Sequence, residues 1–272
     1  MVIFPFSKIN IGLVIKGKRP DGYHDIETIF YPVGFCDALE IAIAGGKATE
    51  DILTVTGLQP CGKNEENIVL RAVRKLRERV SFPFLKIHLH KVIPSGAGLG
   101  GGSSDAAGIL KIVNKCFRLS ISTDELKEIG LTLGSDVPFF IDGQPAHGSG
   151  RGEILKPLKK FLEGYHIVLV NPGIFISTSE AYSYCSRYIT EKKLSDPSEI
   201  PVEEWKDSVF NDFEAFVFSK YPETEEIKKE FYQSGALFSS LSGSGSTFYG
   251  IFHDKPSLSS VLKQKVIYSG LL

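Results

Sequence analysis

The segment Pro94-Ser95-Gly96-Ala97-Gly98-Leu99-Gly100-Gly101-Gly102-Ser103-Ser104 carries five glycines in the seven residues 96–102. It leaves an apolar run that ends near residue 93 and enters an amphipathic one. Glycine reaches φ > 0 without steric cost, so this backbone can turn tightly and come close to a ligand. A helix that starts directly after such a loop exposes backbone N–H groups with no intrahelical partner. With the helix dipole, these favour an anion, phosphate above all. Ser103 and Ser104 add hydroxyls that can cap the helix or touch phosphate. A ligand-free loop would satisfy the same local geometry, but glycine clustering this dense between strand and helix favours phosphate binding.

Several phosphate folds are excluded by what surrounds the loop. Gly96-x-Gly98-x-x-Gly101 has dinucleotide spacing, yet no first βαβ unit and no repeated βαβ pattern frame it. There is no Gly-Lys-Ser/Thr ending for a Walker A loop, no His-Arg-Asp or Asp-Phe-Gly, and no G-x-S-x-G elbow. The net charge of -1 provides no global basic field for nucleic acid or an anionic membrane, so an anionic ligand must be held by local groups. Cys36, Cys61, Cys116 and Cys185 form no C-x-x-C pair, which argues against a zinc ribbon, a redox dithiol or a disulfide scaffold. The first fifteen residues lack the basic start and cleavage site of a secretory leader. No run reaches membrane-spanning length. A cytoplasmic enzyme is expected.

Apolar runs predict strands over 3–15 and 27–43, joined by a turn at 17–22, with further strands over 51–56 and 84–93. Val69, Ala72, Val73, Leu76 and Val80 fall at helical spacing, with Asn67 as N-cap. Arg71, Arg74, Lys75, Arg77 and Arg79 on that helix lie opposite its apolar stripe and read as a solvated face. His88 and His90 share a strand face without a third ligand, which favours a structural role over a metal. Ser122-x-x-Glu125 is a capping box for a helix ending before Gly134. Residues 150–164 read as a boundary between domains 1–158 and 159–272. Beyond it come a strand near 165–171, helices near 178–189, 208–219 and 223–234, and paired strands at 236–241 and 247–252. The class is α+β.

Three motifs in fixed order carry a family resemblance over nearly the whole chain. The glycine-rich loop resembles the Pro-x-x-x-Gly-Leu-Gly-Ser/Gly-Ser-Ser motif of the galactokinase, homoserine kinase, mevalonate kinase and phosphomevalonate kinase (GHMP) superfamily. Phe6-Ser7-Lys8-Ile9-Asn10-Ile11-Gly12-Leu13 resembles its first-strand motif, and Leu241-Ser242-Gly243-Ser244-Gly245-Ser246 its third motif. Arg19-Pro20-Asp21-Gly22-Tyr23-His24 and Gly134-Ser135-Asp136-Val137-Pro138 are similar to the cytidine-containing branch, which serves a non-mevalonate isoprenoid route.

The resemblance implies an N-terminal domain like ribosomal protein S5 domain 2, a C-terminal ferredoxin-like domain, and transfer of the ATP γ-phosphate to a cytidine diphospho-alcohol. It implies Asp136 as base or hydroxyl-orienting group and Lys8 as its partner, with ATP on the loop 94–104 and near Asn67 and Lys91. Asn10, Tyr23, His24, Thr178 and Tyr182 fall on the acceptor side. From composition alone, Asp136 could equally be a turn aspartate, Lys8 a solvent-facing lysine, and Tyr23 and His24 an ordinary surface turn. Asp105 stands where the branch often has asparagine. Mg²⁺ is implied by the chemistry with no ligand legible. The expected partner is a small molecule rather than nucleic acid or membrane, for a monomer or weak homodimer. Competing expectations are another kinase of the superfamily, for mevalonate or homoserine, a nucleotide-binding regulator without catalysis, and a dinucleotide-dependent oxidoreductase.

Overall fold

Strict alternation makes Leu85–Lys91 a half-buried strand: Leu85, Ile87 and Leu89 point inward, and Lys86, His88 and His90 outward. The same register turns Lys91 inward. This strand is central to one of two units into which chain contacts divide the computed structural model, which describes residues 1–46, 48–59, 66–184, 194 and 196–272.

The first unit comprises Met1–Ser7, Phe35–Ser95 and Gly100–Gly143. Its sheet runs in the order Val2–Ile3, Ala38–Ile43, Leu85–Lys91, Ile52–Gly57, with the last pair parallel and the others antiparallel. A parallel pair needs a crossover, and the helix Ile68–Arg77 supplies it. Asn67 caps that helix as expected, its Oδ1 accepting from Val69 N at 2.9 Å. Gly101–Phe117 passes so close to the sheet that a Cβ on Gly108 would lie 3.0 Å from Ile3 and 3.5 Å from Leu39. The capping box forms on Thr123–Leu133, with Ser122 and Glu125 bonding reciprocally. A short helix, Val137–Asp142, follows directly.

The second unit comprises Lys8–Gly34, Gly96–Leu99 and Gln144–Leu272. One sheet orders Phe6–Lys18, His24–Cys36, Ala146–Ser149 and Ile154–Pro157. The other is antiparallel throughout, in the order Phe238–Leu241, Phe248–Phe252, His166–Val170, Val266–Leu271. Helices Phe213–Lys220 and Glu223–Gln233 bury Phe213, Phe216, Ile227 and Phe231 with Val168 and Phe248 of that sheet, the ferredoxin-like arrangement expected of the C-terminal part. Leu13, Ile15 and Ile26 join the same core. The linear boundary at 158 therefore does not coincide with the division by contacts, because the first long strands pack with the C-terminal residues.

Four local expectations need correction. The run 27–43 is two strands, His24–Cys36 and Ala38–Ile43, interrupted at the fully buried Asp37. Residues 150–164 are not simply a boundary, since Ile154–Pro157 pairs with Ala146–Ser149. The strand Val266–Leu271 escaped the apolar pattern. Arg77 does not belong to a solvated face: it forks onto both oxygens of Asp51 (Nε 2.8 Å, Nη2 2.7 Å) and lies over the rings of Phe82 and Phe84. A guanidinium is flat and weakly hydrated, which suits such a stacked, bidentate place. Of the helix expected at 178–189, Thr178–Ser183 is observed; residues 185–189, like Cys61, lie outside the described residues.

Candidate active site

In the second unit the three family motifs meet through named hydrogen bonds. Lys8 is 4% exposed, which rules out a solvent-facing lysine. Its ammonium donates to Asn10 Oδ1 and lies 5.3 Å from the centre of the Phe30 ring. Asn10 is held on every side: its Nδ2 donates to Thr28 Oγ1 at 3.0 Å, its N to Ser242 Oγ at 3.2 Å, and its carbonyl accepts from Tyr249 at 3.0 Å. A buried amide this fully bonded presents one fixed face.

The loop residues 96–99 are fixed by their carbonyls. Leu99 O accepts from Lys8 N at 3.0 Å, Gly98 O from Ser242 Oγ at 2.9 Å, and Ala97 O from Thr247 N at 3.2 Å. Among the described residues, the amides of Gly98 and Leu99 make no backbone hydrogen bond, while that of Ala97 closes a turn at Ser95–Gly96. Those free amides are what a phosphate oxygen requires. Gly98 has φ +75°, and a Cβ there would fall 1.9 Å from Ser242 O. The approach of another backbone alone already requires glycine here.

His24 and Tyr182 stack face to face, centroids 4.5 Å apart and planes 12° apart. Phe213 meets Tyr182 edge-on at 4.9 Å. Burial, then the charge of Lys18, lowers the His24 pKa, which favours the neutral ring. Tyr23, next to His24 in the chain, is 53% exposed, with the Arg151 guanidinium 4.5 Å from its ring centre. Thr178 opens the helix that carries Tyr182, and its hydroxyl lies 3.3 Å from that of Ser244 in the third motif.

In the first unit, Gly100 (φ +70°) is the N-cap of the seventeen-residue helix Gly101–Phe117, and no side chain caps it. Ser103 and Ser104 are therefore first-turn residues and not caps. The uncapped amides of Gly101, Gly102 and Ser103 suit an anion. Ser103 Oγ lies 3.7 Å from where a Gly134 Cβ would stand, which brings the Gly134–Pro138 segment beside the helix start. Asp136 occupies the N-cap position of Val137–Asp142, yet its side chain makes no capping hydrogen bond.

Lys91 is 4% exposed and bridges two buried carboxylates, Asp37 and Asp105, the latter at 2.8 Å. Burial first, opposed by the Lys91 charge and aided by that of Asp37, pushes the Asp105 carboxyl up to about 7. A raised carboxyl pKa means that the folded chain holds a proton the unfolded chain has already released. Stability from this group is full below about pH 4 and is lost as pH rises through about 7. Asp105→Asn cannot titrate, so urea unfolding at pH 5 and pH 8 should show the wild type losing up to roughly 2.5 kcal/mol relative to the variant. Parallel pH dependences would contradict this.

Sequence reasoning missed Asp37 and Arg151. The signal for Asp37 was a lone charge inside an apolar run, the same signal that marked Lys8. Lys91 carried a further one, a lysine on the inward register of an alternating strand that needs a buried counter-charge. The imidazoles of His88 and His90 both approach Thr56 Oγ1 at 2.9 Å on an exposed face.

Residues 67–144 match the family model described as GHMP kinases N terminal domain, and residues 201–264 the one described as GHMP kinases C terminal. A Bacteroides fragilis protein named 4-diphosphocytidyl-2-C-methyl-D-erythritol kinase is 44% identical over 261 residues, 96% of this chain and 95% of that protein. A Parabacteroides distasonis protein of the same name is 46% identical over 257 residues, covering 94% and 93%. A crystal structure titled 4-(cytidine 5'-diphospho)-2C-methyl-D-erythritol kinase superposes with TM-score 0.78 at 30% identity, covering 92% of this chain and 90% of that one.

Proposed function

Since the chain belongs to the GHMP kinase family, beside relatives named 4-diphosphocytidyl-2-C-methyl-D-erythritol kinase, we propose that it phosphorylates the 2-hydroxyl of that cytidylyl alcohol with ATP. The products are ADP and the 2-phosphate, at a step towards isoprenoid precursors. The likeness to those relatives over 94–96% of the chain carries the reading.

Phosphoryl transfer asks chiefly for positioning and charge neutralisation. In this reading the loop amides and the start of Gly101–Phe117 receive the ATP phosphates. The acceptor oxygen attacks the γ-phosphorus as the bond to the β-phosphate oxygen breaks, and Asp136 takes the hydroxyl proton. The buried Lys8 supplies a positive charge that offsets charge on the moving phosphoryl group. Asn10, whose amide is already fixed, orients the acceptor. His24 and Tyr182 give the cytosine a polar edge and an aromatic surface, with Thr178 and Tyr23 beside them. Asn67 shapes the adenine side. Mg²⁺ travels with the nucleotide: it needs few protein ligands when phosphates supply the oxygens, and among the described residues no three His, Cys, Asp or Glu stand together as a cage. We place the protein in the cytoplasm as a monomer or weak homodimer. Among the described residues, no helix is long and apolar enough to cross a membrane.

A coupled ADP-release assay across acceptors tests the reading. The cytidylyl alcohol should turn over, and free methylerythritol, mevalonate and homoserine should scarcely do so, because a site that pairs with a base edge is left unpaired without it. Equal turnover of mevalonate or homoserine would leave the family and remove the acceptor.

A further inference from the structure

Asp37 lies between two strands, fully buried, where no surface role or ordinary turn requires a carboxylate. Its Oδ1 accepts from the backbone amides of Val92 at 2.6 Å and Ile93 at 2.9 Å, the last residues before the glycine-rich loop. Its Oδ2 accepts from the Lys91 ammonium. That ammonium also donates to Asp105 Oδ2 at 2.8 Å, on the second turn of the helix that leaves the loop. The Lys91 Nζ lies 3.2 Å from where a Cβ on Gly101 would stand, directly under the helix start. Entry and exit of the loop are thus tied to one carboxylate–ammonium–carboxylate chain, all of it at most 4% exposed.

We propose that Asp37, Lys91 and Asp105 are positioning residues that staple both flanks of the glycine-rich loop and so set the affinity for ATP. The proposal rests on the reading that this loop holds the ATP phosphates. It also gives Lys91 a different task from direct contact with nucleotide: its ammonium is spent on the two carboxylates beneath the loop.

The charge balance adds a second consequence. Two carboxylates and one ammonium leave an uncompensated negative charge close to an anion site. The groups that face Asp105 are Lys91 and Asp37, and its Oδ1 has no protein partner in its buried place. Near neutral pH a proton on Asp105 cancels the excess, in keeping with its raised pKa of about 7. At alkaline pH the excess returns beneath the helix start and works against bound phosphate.

The test uses the full chain, with kcat, KM for ATP and KM for the acceptor measured from pH 6 to 9. Asp37→Asn is expected to raise KM for ATP about tenfold or more, since it weakens charge-assisted bonds to two amides and an ammonium. KM for the acceptor should stay within about twofold. Asp105→Asn keeps the shape of the side chain and should fold whatever Asp37→Asn does. It should remove the part of the alkaline rise in KM for ATP that exceeds the nucleotide's own titration, which both enzymes share. The staple is overturned if Asp37→Asn shifts both KM values alike or neither, or if Asp105→Asn keeps the wild-type pH profile. Failure of the loop reading looks different: Gly102→Asp, at the exposed start of the helix, would leave KM for ATP unchanged.

Discussion

Asp136→Asn is expected to lower kcat by about 10²- to 10⁴-fold, the usual weight of a general base, with KM for ATP almost unchanged. The substitution keeps the shape of the side chain and removes its charge. Asparagine is as good as aspartate at the N-cap position that Asp136 occupies before Val137–Asp142, so the helix start itself is preserved. A carboxylate that only satisfied turn amides would show the reverse pattern, a lower unfolding midpoint with turnover intact. Measuring kcat beside a urea midpoint separates the two. Turnover near wild type would remove Asp136 from the mechanism.

Gly102→Asp should give opposite signs for stability and for nucleotide affinity. Gly102 is an exposed first-turn residue, and a Cβ there would meet nothing nearer than Ile68 at 3.9 Å. Aspartate in the first turn of a helix is stabilising by roughly 0.3–1 kcal/mol, so the folded protein should be unharmed or slightly more stable. The same charge lies where ATP phosphates are proposed to bind. A like charge within several ångströms at an effective dielectric near 20 costs roughly 2–3 kcal/mol, which raises KM for ATP by more than about tenfold. Gly98 is the poorer probe: any side chain there collides with Ser242, so weakened binding would be confounded with a distorted loop. Unchanged KM for ATP in a stable Gly102→Asp protein would mean that this helix start binds no phosphate.

What was legible in the sequence was written in short-range chemistry. Asn67 and the Ser122–Glu125 box cap helices through bonds that span two or three residues, so their spacing suffices to identify them. The glycine-rich loop announced itself because glycine's conformational freedom is intrinsic to the residue. Lys8 was legible as a charge in an apolar strand, although its burial and its bond to Asn10 came only with the fold. The features that stayed hidden depend on distant partners. Asp37 meets Lys91 across 54 residues, and Asp105 joins them from the far side of the loop. The His24–Tyr182 stack joins a strand start to a helix more than 150 positions later, and no local pattern encodes it. The freedom of Gly98 also leaves room for the carbonyl of Ser242, a contact equally invisible to spacing.

In the proposed reaction one phosphoryl group passes from ATP to an alcohol that keeps its cytidine. Phosphorus NMR of the protein incubated with MgATP and the cytidylyl alcohol reads this directly. A new phosphomonoester signal should grow as ADP grows, while the acceptor's diphosphate signals persist. ADP accompanied only by inorganic phosphate, or cleavage of the acceptor's diphosphate, would contradict it.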